Sequence, residues 1–404
     1  MKKFLSTLHR WLGFPLGILF VITFVTGAIS SVEELLKRVD ISIENSDYQY
    51  RPTTLAENAD VLAVITEGKK GIRSIVMPSF DTPYYRVEAR GESWTYALND
   101  IEDEQHAKDR ENSFFKTNLQ LHRNYLLGRE GLWGVEGKHY AAWVGLIATL
   151  ISLLGLWLWW PVRKSFKAKD LVPRGRKRKH FYYNHMTGGV VVLLAILLFA
   201  ITGASITYRT FTEQLLGVES AKSEAKQTVS LDSHWQAWLE MAYAQMPAGA
   251  VLQQIRYPRP PRKAAENREA PNNKTTRSQT NFKSVTDSKR NTVEKLSEQI
   301  LTFQFHAPGD WLGLAGSRVS IDKQGSVLVN TSLHADLSLG AKVFSILKAL
   351  HTGHDLPAYY VVLQLLLSLL GTVMVFSGLV SFIIKKRKRN QVDRWANSQP
   401  LTES

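Results

Sequence analysis

Four histidines occupy positions from which an imidazole could ligate a metal. His9 opens the apolar stretch HRWLGFPLGILFVITFVTGA, and His185 opens HMTGGVVVLLAILLFAITGA. In each, the histidine precedes a Thr-Gly-Ala by seventeen residues (His9 to Thr26, His185 to Thr202), and a glycine follows it by four (Gly13, Gly189). His122 in LQLHRNYLLG and His351 in KALHTGHDLP each follow a leucine and precede a further apolar stretch. The chain contains no cysteine, which excludes disulfides, thiolate-bound iron–sulfur clusters, c-type haem attachment and zinc–thiolate sites. A metal or redox cofactor must therefore rest on His, Met or carboxylates.

A histidine at a membrane helix end can be an interfacial anchor, a cap, a proton carrier or a ligand, and the repeat points to ligation. A bare metal ion wants three or four ligands at one depth, and a proton relay wants ionisable groups deep in the membrane. Neither pattern is present in the apolar stretches. Equivalent histidines brought together across a bundle would give two pairs, His9 with His185 and His122 with His351, at two depths. Two neutral imidazoles binding iron axially is how a helical bundle holds b haem. Gly13, Gly17, Gly27, Gly188, Gly189 and Gly203 would give room for a macrocycle or, equally well, for close helix packing. His139, at the start of the second apolar span, and His354, one turn past His351, are alternative outer ligands, and His180, in a basic run beside the membrane, is a further weaker candidate. His106, His234, His306 and His334 suit surface or fold roles, although His306 in FHAPGDW could face a substrate.

The elements that must position these residues follow from length and hydropathy. Within 404 residues, four stretches hold about the twenty apolar residues that a helix needs to cross ~30 Å of hydrocarbon. They place spans at 8–30, 139–162, 185–208 and 356–384, a basic loop at 163–184 and a tail at 385–404. The net charge of +14 is not a nucleic-acid signature, because the cations flank the spans: residues 163–180 carry nine Lys or Arg against one acid, and Lys385-Lys386-Arg387-Lys388-Arg389 follows the last span. Such clusters mark the cytoplasmic side and put both termini inside. A cleaved signal peptide ending near Ala28-Ile29-Ser30 would discard His9, which the second half repeats. Regions 31–138 and 209–355 then face outward, each patterned as a small helix on a short antiparallel sheet. Residues 261–298 form a polar, basic insertion expected to be a mobile loop.

The chain resembles the PepSY-associated transmembrane family, a group that includes inner-membrane ferric and siderophore-iron reductases. The match is carried by His9-Arg10-Trp11-Leu12-Gly13, Thr26-Gly27, Leu121-His122-Arg123, His185 with Gly188-Gly189, Thr202-Gly203, Ser317 to Asp322 with Gly325, and Leu350-His351-Thr352-Gly353. The resemblance implies an α-helical membrane protein with four transmembrane helices in two duplicated halves and two small α+β PepSY-like periplasmic domains. It implies two b haems per chain and electron transfer across the bacterial inner membrane to ferric iron or a ferric siderophore, in support of ferrous iron uptake. No dinucleotide-binding glycine fingerprint is present, so a quinol or a partner reductase would donate electrons, and no catalytic acid, base or nucleophile stands out. A homodimer is compatible with this reading. The rivals are a non-enzymatic PepSY interaction or regulatory module and a haem or metal permease.

Overall fold

The computed structural model describes residues 2–44, 51–79, 83–89, 92–98, 100–108, 113–218, 234–257, 300–314, 316–322 and 327–398. The insertion 261–298 and the turn at Lys323-Gln324-Gly325 lie outside the described residues. The first half holds α1 (Lys2–Glu44), α2 (Leu55–Thr66), β1 (Ser74–Val76), β2 (Tyr84–Glu88), β3 (Glu92–Ala97), β4 (Asp100–Lys108), α3 (Ser113–Asn124) and α4 (Gly137–Trp159). The second holds α5 (Arg178–Val191), α6 (Leu193–Thr207), α7 (Arg209–Leu215), α8 (Trp235–Ala244), β5 (Val251–Arg256), β6 (Ile300–His306), β7 (Ser317–Asp322), β8 (Val327–Ser332), α9 (Leu339–Thr352) and α10 (Ala358–Ser398). Two compact units result: Met1–Asp40, Glu111–Gly217 and Val343–Ser404 form a helical unit, and Ile41–Arg110 with Val218–Lys342 form a sheet unit.

In the helical unit, α1 carries no charged residue between Arg10 and Glu33. Among the described residues, Lys2–Arg38, Gly137–Ser165 and Ala358–Gln391 are long and apolar enough to cross a membrane. The stretch expected as one straight span at 185–208 is instead α5 and α6, bent by 59° and able to cross only as one broken span. The bend follows Gly188-Gly189, where the missing side chains weaken the helix. Val192 at the break is fully buried, packed in a cluster with Phe20, Val144, Ile151, Ile196, Met374 and Val375. Burial of that valine offsets the lost helical regularity.

The sheet unit differs from expectation in a second way. The two outer regions do not form separate domains but share one antiparallel sheet, ordered β4-β3-β2-β1-β5-β6-β7-β8. The join is β1 on β5, with Ile75 opposite Ile255. Each of these strands would be the open edge of a small sheet if its region stood alone, and pairing satisfies both rows of backbone groups. Helices α2 and α8 cover one face, burying Leu62, Ile65, Trp238 and Leu239 against Ile75, Tyr85, Val87, Ile255, Phe303 and Ile321. The strand alternation places these side chains on one side. The Tyr85 hydroxyl donates to Asn58 Oδ1 at 3.0 Å, and Trp235 Nε1 donates to Thr66 Oγ1 at 3.1 Å, tying α8 to α2.

Since Ile75 and Ile255 meet at the join and both are fully buried, truncating either should weaken the whole sheet. Ile75→Ala or Ile255→Ala is expected to cost about 2–4 kcal/mol. Hydrogen exchange should accelerate in β2 and β6 alike. Acceleration confined to the substituted half would show that the two halves unfold independently.

Candidate functional site

The four histidines come together as two pairs within the helical unit. The rings of His9 and His185 lie with centroids 6.0 Å apart and planes at 62°, and those of His122 and His351 at 6.2 Å and 47°. His9 and His185 enter from α1 and α5, whereas His122 and His351 stand in the last turns of α3 and α9. Thr26, which contacts His122, is seventeen residues from His9, or about 25 Å along the helix at ~1.5 Å per residue. The two pairs are therefore separated by nearly the thickness of the hydrocarbon.

Every ring makes its hydrogen bond through Nδ1. His9 Nδ1 donates to the Ile151 carbonyl at 3.1 Å, and His185 Nδ1 donates to the Met374 carbonyl at 3.0 Å. The other two use threonines: Thr26 Oγ1 lies 2.9 Å from His122 Nδ1, and Thr202 Oγ1 lies 3.0 Å from His351 Nδ1. Each threonine already gives its own proton to a carbonyl one turn back, Ile22 for Thr26 and Leu198 for Thr202, at 2.7 Å in both cases. Its oxygen must accept from the imidazole. All four rings thus hold their proton on Nδ1 and leave the Nε2 lone pair for another partner, the state a metal-ligating histidine requires.

A glycine seats each ring. A Cβ on Gly27 would come 3.6 Å from His122 Cε1, and one on Gly203 would come 2.9 Å from His351 Cε1. A Cβ on Gly155 would reach His9 Cε1 at 3.3 Å, and on Gly378 it would reach His185 Nδ1 at 2.6 Å. Gly17 and Gly188 serve helix packing instead, against Leu379 and Met374. Gly13 and Gly189 have nothing within 4 Å of a built Cβ, so open space lies one turn beyond His9 and His185.

The helix ends that carry the outer pair are anchored. α9 stops at Gly353, whose φ of +73° suits glycine. Its last carbonyls receive Tyr360 Oη on Leu350 at 2.5 Å and Gln364 Nε2 on His351 at 3.2 Å, both from α10. From α1, Arg38 binds the Leu356 and Gly353 carbonyls at 2.6 and 3.2 Å. α3 is held by Asn118 Nδ2, which donates to the Thr26 carbonyl at 3.0 Å.

The remaining candidates lie apart from the pairs. His139 Nδ1 is 3.1 Å from the Tyr208 hydroxyl, in an aromatic group with Trp143. His180 rests against Gly175 in the basic loop. His354 is largely exposed, 3.7 Å from Glu34, and that neighbouring carboxylate pushes its pKa up. In the sheet unit, His334 is buried beside Trp311 with Nδ1 3.9 Å from Asp310. His306 closes β6.

The residues fit b haem. At each site two imidazoles would hold the group and would supply its two protein nitrogens. Among the described residues no group of three His, Asp or Glu could hold a bare metal ion. Glycine substitution tests the seating of the rings. Gly378→Ala and Gly203→Ala should each destabilise the protein by about 1–3 kcal/mol through overpacking, whereas Gly13→Ala should be neutral or stabilising, as read by thermal melting in detergent. Equal tolerance at the three positions would refute the seating.

No curated protein matches the chain significantly. The model of the PepSY-associated TM region matches residues 6–385 and takes in all four paired histidines. By that match the chain belongs to the PepSY-associated transmembrane family.

Proposed function

We propose that this protein is an inner-membrane oxidoreductase that binds two b haems, one between His9 and His185 and one between His122 and His351. It carries electrons across the bilayer to ferric iron, free or siderophore-bound, in the periplasm. The observation that carries the reading is the common state of the four rings: in both pairs Nδ1 is committed to an internal acceptor and Nε2 is not. When bound, haem b supplies a reversible one-electron couple.

The chain's own residues set the conditions for that couple. Donation from Nδ1 holds each imidazole in one tautomer and raises its basicity as a ligand. The acceptors differ between pairs: His9 and His185 give to amide carbonyls, whereas His122 and His351 give to threonine hydroxyls. Apolar packing of Phe20, Ile196 and Val375 keeps water from the interval between them. On the substrate side, oxygen-donor chelators prefer the harder Fe(III), so adding one electron loosens the complex and frees Fe(II) for uptake.

Purified protein should contain two b haems per chain by pyridine haemochrome assay, and reduced protein should reoxidise on addition of a ferric chelate in stopped flow. His9→Ala or His185→Ala should remove one haem, and His122→Ala or His351→Ala the other. A colourless preparation, or haem that stays reduced with every ferric compound, would end this reading. Redox titration adds a separate check on the ligand bonds: Thr26→Val and Thr202→Val should shift the midpoint of one haem only, with its occupancy retained. A shift of both haems, or of neither, would contradict the assigned roles of the threonines.

A further inference from the structure

The end of the helical unit that holds His9 and His185 also gathers cations from three helices. Packing contacts set the register. α10 runs antiparallel to α5, with Gly378 against His185 and Met374 against Gly188. Two turns further along, Arg178 on α5 stands level with Lys385 on α10. α1 packs on the same helix through Gly17 on Leu379 and through Phe14 on Phe382, whose rings lie 4.5 Å apart. That register brings Arg10 to the level of Lys385 and Lys386. Lys385 is accordingly within electrostatic reach of both Arg10 and Arg178.

Among the described residues no carboxylate forms an ion pair with any of the three. The facing segments 2–10, 178–185 and 378–391 contain no Asp or Glu. Arg10 gives hydrogen bonds to the Ser6 carbonyl at 3.0 Å and to Thr7 Oγ1 at 3.2 Å, and Arg178 lies over the Tyr182 ring at 5.9 Å. The one acid of the neighbouring loop, Asp170, lies near α5 through the bond from Asn184 Nδ2 to its carbonyl. Among the described residues, Asp170 has no ion pair with Arg10, Arg178 or Lys385. Like charges gathered where the dielectric falls below that of water repel one another, and the uncapped first turn of α5 adds potential of the same sign. A bound anion would offset this.

Which anion is indicated by what adjoins the cations. On α1 the apolar side chains beside Arg10 face outward, with Phe4 at 68 % and Trp11 at 75 % exposure. A free inorganic anion gains nothing from such surface, whereas an amphiphile places its charged head on the cations and its chains on the apolar residues. Basic pockets between membrane helices bind anionic headgroups in this way. We propose that Arg10, Arg178 and Lys385 form a binding site for the phosphate of an anionic phospholipid. The site uses none of the paired histidines, so it stands or falls independently of haem binding.

Native mass spectrometry of the full chain, extracted in a neutral detergent and equilibrated with equal phosphatidylglycerol and phosphatidylcholine, tests it. One retained phosphatidylglycerol per chain is expected. The double variant Arg178→Gln/Lys385→Gln should bind it roughly thirty-fold more weakly, while Lys164→Gln/Lys167→Gln, which removes the same charge from the exposed loop, should retain it. Equal loss in both double variants would reduce the effect to general surface charge and overturn the site, as would undiminished retention in the first or equal retention of phosphatidylcholine. An inorganic phosphate adduct that displaces the lipid at the same concentration would reassign the cluster to a free anion and overturn the lipid assignment. A thermal melt of each variant without lipid verifies folding. Should the double variant be unfolded, Lys385→Gln alone should weaken binding roughly fivefold, and an unchanged affinity would sink the proposal.

Discussion

An N–H group inside a bilayer has no water to donate to, so it must find an acceptor within the protein. Four imidazole Nδ1–H groups in this molecule meet that demand, and the surrounding architecture follows from how they meet it. Two donate to carbonyls of helices α4 and α10 that already take part in helical hydrogen bonding. Two donate to threonines whose own protons go back into the helix. Reaching these acceptors brings each ring against a neighbouring helix, which is why Gly155, Gly203 and Gly378 stand where a side chain would collide or crowd, while Gly27 leaves His122 an ordinary contact distance. Each ring comes from one helix and its acceptor and glycine from another, so the imidazole orientation is fixed by helix packing rather than by its own flexible bonds.

The pairing of the histidines was legible because both members of each pair sit at matching places in a repeated pattern, and helical rise converts sequence interval into depth. Their seats were only half visible. Gly27 and Gly203 belong to the repeated Thr-Gly-Ala motif, but nothing local marks Gly155 and Gly378 as seats, because periodicity within a helix does not reveal which other helix it meets. The same limit applies to the bend at Val192: the apolar run continues across it, and the path is settled by the Gly188-Gly189 weak point and by burial against α1, α4 and α10. Strand β4, with the sequence DIEDEQHAK, lacks the alternation that marks a half-buried strand and is held by its ladder to β3. The shared sheet was hidden for a different reason, since edge pairing between distant strands leaves no local mark on either.

The two histidine pairs resemble each other in geometry and differ in chemistry. Ring separations agree to within 0.2 Å, yet the acceptors are amide carbonyls at one end and hydroxyls at the other. The environments diverge as well. The first pair lies next to Arg10, Arg178 and Lys385, on α1, α5 and α10, while the helix end bearing His351 is held by Arg38 and followed by exposed His354 and Asp355. Two histidine pairs of like ring separation thus stand in unlike electrostatic surroundings.

The central pairing of β1 with β5 has a consequence for how the chain is made. β1 emerges early, but its partner begins roughly 175 residues later, after α3 to α8. At synthesis rates of about 5–20 residues per second, the gap lasts roughly 10–35 s. During that interval the ladder of the first region ends on an unpaired, apolar edge, Ser74-Ile75-Val76, the kind of surface that recruits foreign strands. The order of assembly is thus imposed from the outside in: the early strands must wait, and α4 to α6 must enter the bilayer in time to deliver the strand that closes the edge.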